Sequence, residues 1–248
     1  MRSWAGVGAT VILAGAFSAA GLADPLRSVV AAACLVLVPV LAVGRELPPA
    51  EMIRDRLPAV YLSSTVVLAV SGALTLLLSV EWRGGAGIWL AWDAPKSFLI
   101  GAAVVLTGCG LAVAYLFLGL SVPFGWRETE TVRAIMPATP GEKGLFAVLT
   151  LAAGASEEIV FRGFLTAFLV PWFGSYMLAA LPVSAAFGIL HGYQGPHGMA
   201  RAGVTGLVLA LGVAWTGSLW PSILAHTALN LLFGLVLRRS LLGGVLWK

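Results

Sequence analysis

Residues 144–170 read GLFAVLTLAAGASEEIVFRGFLTAFLV, an apolar run that contains the charged residues Glu157, Glu158 and Arg162. A helix needs about 20 apolar residues to cross the hydrocarbon core of a bilayer, so this run is long enough to span it. A charge at mid-bilayer costs about 2.5–3.5 kcal/mol on insertion scales, and such charges usually mark functional sites. The stretch therefore predicts a membrane fold and the position of its chemistry.

Similar runs recur along the chain. Of the 248 residues, 59% are apolar and 10% are charged, against about 25% charged in an ordinary soluble domain. Alternating ten-residue strand patterns are absent from the sequence, and helices satisfy their own backbone groups in lipid. We predict an all-α polytopic membrane helical bundle of about eight transmembrane helices in a lipid bilayer, at about 4–23, 26–43, 59–80, 98–120, 144–170, 173–190, 200–216 and 219–237.

The longest polar interruption separates two halves of one membrane domain. It contains Pro123, Pro137, Pro140 and charges of both signs. We predict N-terminal transmembrane helices at 1–122, a cytoplasmic loop at 123–143, a catalytic helical core at 144–238 and a C-terminal tail at 239–248. Residues 1–23 also resemble a signal peptide with a small-residue cleavage site at 21–23. We favour a retained first helix, because its apolar stretch can span a bilayer.

Basic residues are unevenly distributed between the predicted loops. Scattered arginines without a basic stripe argue against a nucleic-acid partner. With a cytoplasmic N-terminus, three basic residues lie outside (Arg27, Arg83 and Lys96) and eleven inside (Arg2, Arg45, Arg54, Arg56, Arg127, Arg133, Lys143, Arg201, Arg238, Arg239 and Lys248). This follows the positive-inside rule and predicts a multi-pass cell (inner) membrane protein with both termini cytoplasmic.

The two acidic residues deep in an apolar run are Glu157 and Glu158. Glu158 and Arg162 have the i,i+4 spacing that favours an ion pair on one helix face. Glu157 points about 100° away from that face and lacks this partner. An unpaired carboxylate in a low-dielectric cavity is suited to act as a general base. Alternatively, the three charges form a polar knot that holds helices together.

All three histidines follow residue 143. His191 ends the sixth run, where imidazole can accept a proton, orient water or bind a metal. His226 and Asn230 are one turn apart in the eighth run and share a helix face. Hydrolysis of a peptide bond requires an activated water and donors for the oxyanion, and Glu157 with these three side chains can supply both. We expect His197, in a Gly-Pro loop, to be solvated.

The ordered pattern Glu-Glu-x-x-x-Arg, Phe-x-x-x-His and His-x-x-x-Asn on successive apolar runs resembles the CAAX prenyl-protease and bacteriocin-processing (CPBP) family of intramembrane proteases. The resemblance covers about residues 144–238. It implies that Glu157 activates water with help from His191, and that His226 and Asn230 stabilise the oxyanion. Glu158 and Arg162 would be the supporting pair.

The resemblance leaves the cofactor open. Family members are described as metalloproteases, and Glu157, His191 and His226 are an acceptable zinc ligand set with a fourth position for water. A metal-free mechanism, in which glutamate and histidine activate water, is equally open. The implied substrate is a hydrophobic or prenylated peptide of the Cys-a-a-X type. A proton- or ion-coupled transporter, or a non-catalytic bacteriocin-immunity or scaffold protein, would also place ionisable residues in membrane helices.

Overall fold

The computed structural model describes residues 2–20, 25–44, 46–80 and 94–237, and all regular elements in these ranges are helical. The helices of the N-terminal half are α1 (Arg2–Ala19), α2 (Pro25–Ala32), α3 (Val38–Gly44), α4 (Ala50–Asp55), α5 (Leu57–Val80) and α6 (Lys96–Phe124). They are followed by α7 (Glu130–Ala134), α8 (Pro140–Glu157), α9 (Thr166–Phe173), α10 (Tyr176–Leu190), α11 (Gly195–Thr216) and α12 (Trp220–Leu231). The predicted all-α fold is confirmed.

Short π-helical segments and one 3-10 turn connect or extend several of these α-helices. Two π-helical stretches, Ala33–Leu37 and Glu158–Leu165, carry α2 into α3 and α8 into α9. A third, Leu232–Val236, extends α12, and a 3-10 turn, Gly192–Gln194, separates α10 from α11. Short π-helical segments inside longer helices are often found at functional sites. The second stretch begins at Glu158 and includes Arg162, two residues that the sequence assigns to the site.

Eight helical segments correspond to the eight predicted runs. In the described residues, five are long and apolar enough to cross a membrane: Pro25–Val43, Leu57–Ser79, Lys96–Phe124, Pro140–Phe173 and Gly192–Thr216. Three shorter apolar helices are Trp4–Ala19, Tyr176–Leu190 and Trp220–Val236. The chain is therefore a multi-pass membrane protein.

The two polar interruptions contain more helix than the sequence predicts. The short helix α4 lies between the second and third spans, and α7 lies between the fourth and fifth. The fifth span begins at Pro140, four residues before its predicted start, because Thr139 and Glu142 form a capping box and proline suits the first helical position. Its end is also later than predicted, at Phe173.

The helices that carry the predicted site pack against one another. Helix α8 lies between α5 and α12, α10 packs on α11, and α6 contacts α11 and α12. An aromatic cluster links α1 to this group through Phe17, Phe161, Phe164, Phe168 and Phe187, all buried. Ring pairs such as Phe161 and Phe187, with centroids 5.0 Å apart, fix the relative positions of these helices.

Several predictions concern residues outside the described ranges. These are the cleavage site at 21–23, the tail at 239–248, and the basic residues Arg45, Arg83, Arg238, Arg239 and Lys248 of the orientation count. The remaining basic residues of that count have described backbone positions.

Candidate active site

The adjacent glutamates at the end of α8 occupy different environments. The side chain of Glu157 is 20% exposed, whereas that of Glu158 is fully buried. Oε1 of Glu158 accepts a hydrogen bond from Nη1 of the buried Arg162 at 2.9 Å. The Arg162 guanidinium also lies 4.5 Å from the centre of the Phe187 ring, a cation–π contact. The predicted Glu158–Arg162 ion pair is thus present, and Glu157 remains at the edge of a cavity.

His226 on α12 lies between the two glutamates. Its Nδ1 is 2.8 Å from Oε1 of Glu158. A carboxylate can only accept, so Nδ1–H donates this hydrogen bond and fixes the orientation of the ring. Nε2 is then directed towards Glu157, whose Oε2 lies 3.6 Å away. One histidine therefore lies next to both the buried carboxylate of Glu158 and the partly exposed carboxylate of Glu157.

His191 follows the last residue of α10. Its Nδ1–H donates to the carbonyl oxygen of Phe187 at 2.8 Å, so that in the neutral ring Nε2 is the acceptor nitrogen. The helix breaks at this point into a 3-10 turn, and Gly195 begins α11 with φ of +78°, a value that favours glycine. The glycines of this segment and Pro196 are residues that favour a turn over a continuous helix.

The four predicted catalytic residues all line one cavity of about 690 Å³. Glu157 reaches it from α8, His191 from the end of α10, and His226 and Asn230 from α12. Many of the other lining residues are apolar, including Leu68, Leu149, Phe187, Leu209, Leu229 and Phe233. The cavity also extends to residues of the segments around α4 and α7, among them Leu47, Pro48, Thr131, Ile135 and Met136.

Small residues allow the site helices to approach closely. A Cβ atom added to Gly154 of α8 would overlap the Thr227 side chain of α12 and lie 3.2 Å from the Ile223 carbonyl oxygen. A Cβ on Gly188 of α10 would lie 2.6 Å from the carbonyl oxygen of Met199 on α11. Such close backbone approach is typical of helix pairs in membranes. These contacts set the separation of the helices that bear the glutamates and His226.

Two features of the site were missed by sequence reasoning. The first is the hydrogen bond between Glu158 and His226, which are 68 positions apart. The second is a polar group at the cavity wall, in which Arg201 of α11 pairs with Glu128 of the segment between α6 and α7. The sequence places Glu128 within the predicted cytoplasmic loop at 123–143, and Arg201 is counted among the cytoplasmic basic residues. It gave no local signal for either contact, because each joins residues that are distant along the chain.

His197 differs from its prediction. It was expected to be solvated, but it is partly buried and its ring stacks on that of Trp126, with centroids 5.8 Å apart and planes at 7°. The aromatic Trp126 lies in the segment that follows α6 and gives the histidine a packing partner. His197 is not among the described residues that line the cavity.

Three side chains of the site are of the types that bind zinc. Glu157, His191 and His226 would be the ligands, at about 2.0–2.2 Å from the ion. The 3.6 Å between Nε2 of His226 and Oε2 of Glu157 is a separation that two ligands of one ion can adopt. In the described part of the chain, however, no three His, Cys, Asp or Glu side chains form a group that could hold a metal. The described residues as placed therefore do not fit zinc.

Residues 140–232 match the protein family described as "type II CAAX prenyl endopeptidase Rce1-like". This segment is similar to the Rce1-like domain of that family. The matched segment starts at the first residue of α8 and ends just beyond α12, and it contains all six predicted site residues. The match agrees with the resemblance found in the sequence. Neither the curated proteins nor the solved structures gave a match.

Proposed function

We propose that the protein is an intramembrane endopeptidase that hydrolyses a peptide bond in a hydrophobic, membrane-associated substrate. The observation that supports this most strongly is that Glu157, His191, His226 and Asn230 line one cavity. The similarity of residues 140–232 to the type II CAAX prenyl endopeptidase family also supports a protease function. A cavity with apolar walls and a few convergent polar groups is the usual form of a site for a small or extended ligand.

The first chemical step is attack by water on the substrate carbonyl. The Glu157 carboxylate accepts a proton from the water, and the acceptor Nε2 of neutral His191 assists by orienting or deprotonating it. The oxygen adds to the carbonyl carbon to give a tetrahedral oxyanion. Collapse of this species breaks the C–N bond, and the proton taken from water passes to the leaving amine.

The oxyanion requires donors that are in place before the reaction. In its protonated form His226 carries a hydrogen on Nε2, and Asn230 offers its amide N–H groups one turn further along α12. The contact of Nδ1 with Glu158 at 2.8 Å orients this ring. Arg162 in turn holds Glu158. We therefore assign Glu158 and Arg162 a supporting role without direct chemistry.

Glu157→Gln tests the proposal, because it removes the proposed base and changes the side-chain volume little. The purified variant should lose cleavage of substrates that the wild-type protein cleaves in the same membranes, as read by proteomics of the released peptides. Glu130→Gln is the matched control, since Glu130 is exposed on α7 and does not line the cavity. Equal cleavage patterns for wild type and Glu157→Gln would contradict the proposal. A transporter or scaffold function predicts such equal patterns.

Prenyl dependence and metal dependence are separate parts of the proposal. A prenylated Cys-a-a-X peptide and its unprenylated form, offered in parallel, decide whether the lipid is required. Loss of cleavage in a strong chelator, with recovery on added zinc, would contradict the metal-free mechanism proposed here. The mechanism based on glutamate and histidine alone predicts that cleavage is insensitive to chelation.

We also propose that the protein lies in the inner membrane with both termini in the cytoplasm. The charge distribution supports this orientation. The cavity is lined partly by residues of the two polar segments that contain α4 and α7, which this orientation places on the cytoplasmic side. A substrate would then enter from the cytoplasm. Reporter fusions that put the C-terminus outside would overturn the orientation.

A further inference from the structure

The wall of the cavity carries a cation that the mechanism does not use. Among the described residues that line the cavity, Arg201 is the one arginine or lysine. Its side chain is 20% exposed. A guanidinium is permanently charged and presents a planar fork of donors that fits a carboxylate. An otherwise largely apolar cavity with a single cation in its wall offers a defined place for an anionic group.

The position of Arg201 relates it to the proposed catalytic groups. Arg201, Thr205 and Leu209 follow one another at intervals of four on α11 and all line the cavity. One residue after Thr205, a Cβ on Gly206 would lie 2.8 Å from Nη2 of Arg162, so α11 touches the supporting ion pair at this level. Arg201 lies five residues before Gly206, about 7.5 Å along the helix axis. This is within reach of a short peptide segment bound at Glu157.

In this structure Arg201 is paired with a carboxylate of the protein itself, that of Glu128. Nη1 of Arg201 donates to Oε1 of Glu128 at 2.6 Å, and Nη2 lies 3.4 Å from Oε2. Nη2 also donates to the side-chain oxygen of Gln194 at 3.1 Å. Glu128 lies in the segment between α6 and α7, which its neighbour Thr129 ties to the Tyr193 carbonyl through a 2.7 Å hydrogen bond. The arginine therefore has a carboxylate partner that a second carboxylate could replace.

We propose that Arg201 is a specificity-determining residue that binds a carboxylate of the substrate, the C-terminal one of a peptide, in exchange for Glu128. This inference rests on the proposed function, and it specifies the substrate class of the same cavity as peptides with a free C-terminal carboxylate. In the free protein Glu128 neutralises the guanidinium, which limits the cost of holding a charge in an apolar cavity. An incoming carboxylate takes over the pairing with Arg201, and the displaced Glu128 carboxylate, whose side chain is 11% exposed, turns into the water of the cavity.

If a substrate carboxylate replaces Glu128 at Arg201, substitutions of Arg201 and Glu128 should change the preference for a C-terminal carboxylate in opposite directions. The probes are a hydrophobic peptide with a free C-terminal carboxylate and the same peptide with a C-terminal amide. Wild-type protein should prefer the acid in kcat/KM by about tenfold, the size expected for a charge-assisted hydrogen bond. Arg201→Gln should bring the ratio of acid to amide close to one. Glu128→Gln should raise the ratio above its wild-type value, because the internal competitor is removed.

A matched control separates recognition from loss of an ion pair. Arg54 makes a similar paired contact with Glu142, both oxygens lying 2.7 Å from Nη2, but it does not line the cavity. Arg54→Gln should therefore keep the wild-type ratio of acid to amide. A purely structural role for Arg201 would change the yields for both peptides equally and leave the ratio unchanged.

Binding of the labelled peptides to Glu157→Gln gives a second measurement that needs no cleavage. The acid should bind about tenfold more tightly than the amide, and the added change Arg201→Gln should abolish the difference. Equal affinity of the two peptides would overturn the inference, as would a ratio near one in wild-type cleavage. Equal affinity of the two peptides is also the result expected if Arg201 binds an anionic lipid headgroup and not the peptide. If wild type binds the acid selectively but cleaves neither peptide, the proposed hydrolysis fails while the carboxylate site stands.

Discussion

Nδ1 of His226 lies 2.8 Å from Oε1 of Glu158, the oxygen that also accepts from Arg162. A buried carboxylate thus serves as partner for a buried guanidinium and for the imidazole that reaches the cavity. In metal-free and metal-bound sites alike, a hydrogen bond to one ring nitrogen determines what the other nitrogen can do. The interaction connects α8 to α12 and explains why two glutamates stand side by side: one faces the cavity and the other organises its neighbours.

The two glutamates should respond differently to the same substitution. Glu158→Gln should lower the melting temperature in detergent, because it leaves the buried Arg162 charge without its counter-ion. Glu157→Gln should keep the melting temperature within about 2 °C of wild type while activity is lost, since its side chain is partly exposed and has no buried cation to balance. Thermal unfolding and peptide cleavage measured on the same preparations compare them. A larger stability loss for Glu157→Gln than for Glu158→Gln would contradict this division of roles.

Arg162→Leu should reduce both folded yield and activity. The side chains of Arg162 and Glu158 are 1% and 0% exposed, and removing one partner of a buried pair costs about 3–5 kcal/mol. Yield by size-exclusion chromatography and activity per folded molecule are the two measurements. The double variant Arg162→Leu with Glu158→Leu should recover part of the yield without activity. Normal yield and full activity for the single variant would dismiss the supporting role.

Gly154→Ala should destabilise the protein although alanine is the better helix former. The added Cβ meets Thr227 and would push α8 away from α12, at an expected cost of about 1–3 kcal/mol. Gly144→Ala on the same helix is the control, because no atom beyond its chain neighbours and the adjacent backbone of its own helix lies within 4 Å of its Cβ position. A gain of about 0.5–1 kcal/mol is expected from helix propensity. Chemical or thermal unfolding of the two variants should give changes of opposite sign. Equal changes would refute the close contact.

His191→Ala and His197→Ala should separate catalytic from packing histidines. His191 lines the cavity, and loss of a general base typically costs about 10²- to 10⁴-fold in rate, so a fall of that size is expected. His197 stacks on Trp126 away from the cavity lining, and its substitution should leave kcat within a few-fold of wild type. The variants are compared at equal amounts of folded protein. Similar rates in the two would remove His191 from the proposed mechanism.

Much of the fold could be predicted from the sequence because membrane helices are specified locally. The length of each apolar run sets whether it can cross a bilayer, and the eight runs correspond to eight described helical segments. The Glu158–Arg162 pair was likewise predictable, since four residues bring two side chains together on any helix, and the contact survives the wider π-helical turn. The cap formed by Thr139 and Glu142 is equally local, although it lay outside the predicted helix.

Contacts between distant positions were decided by the tertiary structure. Glu158 and His226 are 68 residues apart, and Arg201 and Glu128 are 73 apart. Which faces of α8, α11 and α12 meet depends on side-chain packing and on close approach at glycines such as Gly154, and neither is encoded in the spacing of apolar residues. The sequence alone therefore determined that this chain crosses a membrane and carries two adjacent carboxylates, whereas packing decided that one orients His226 and the other faces the cavity.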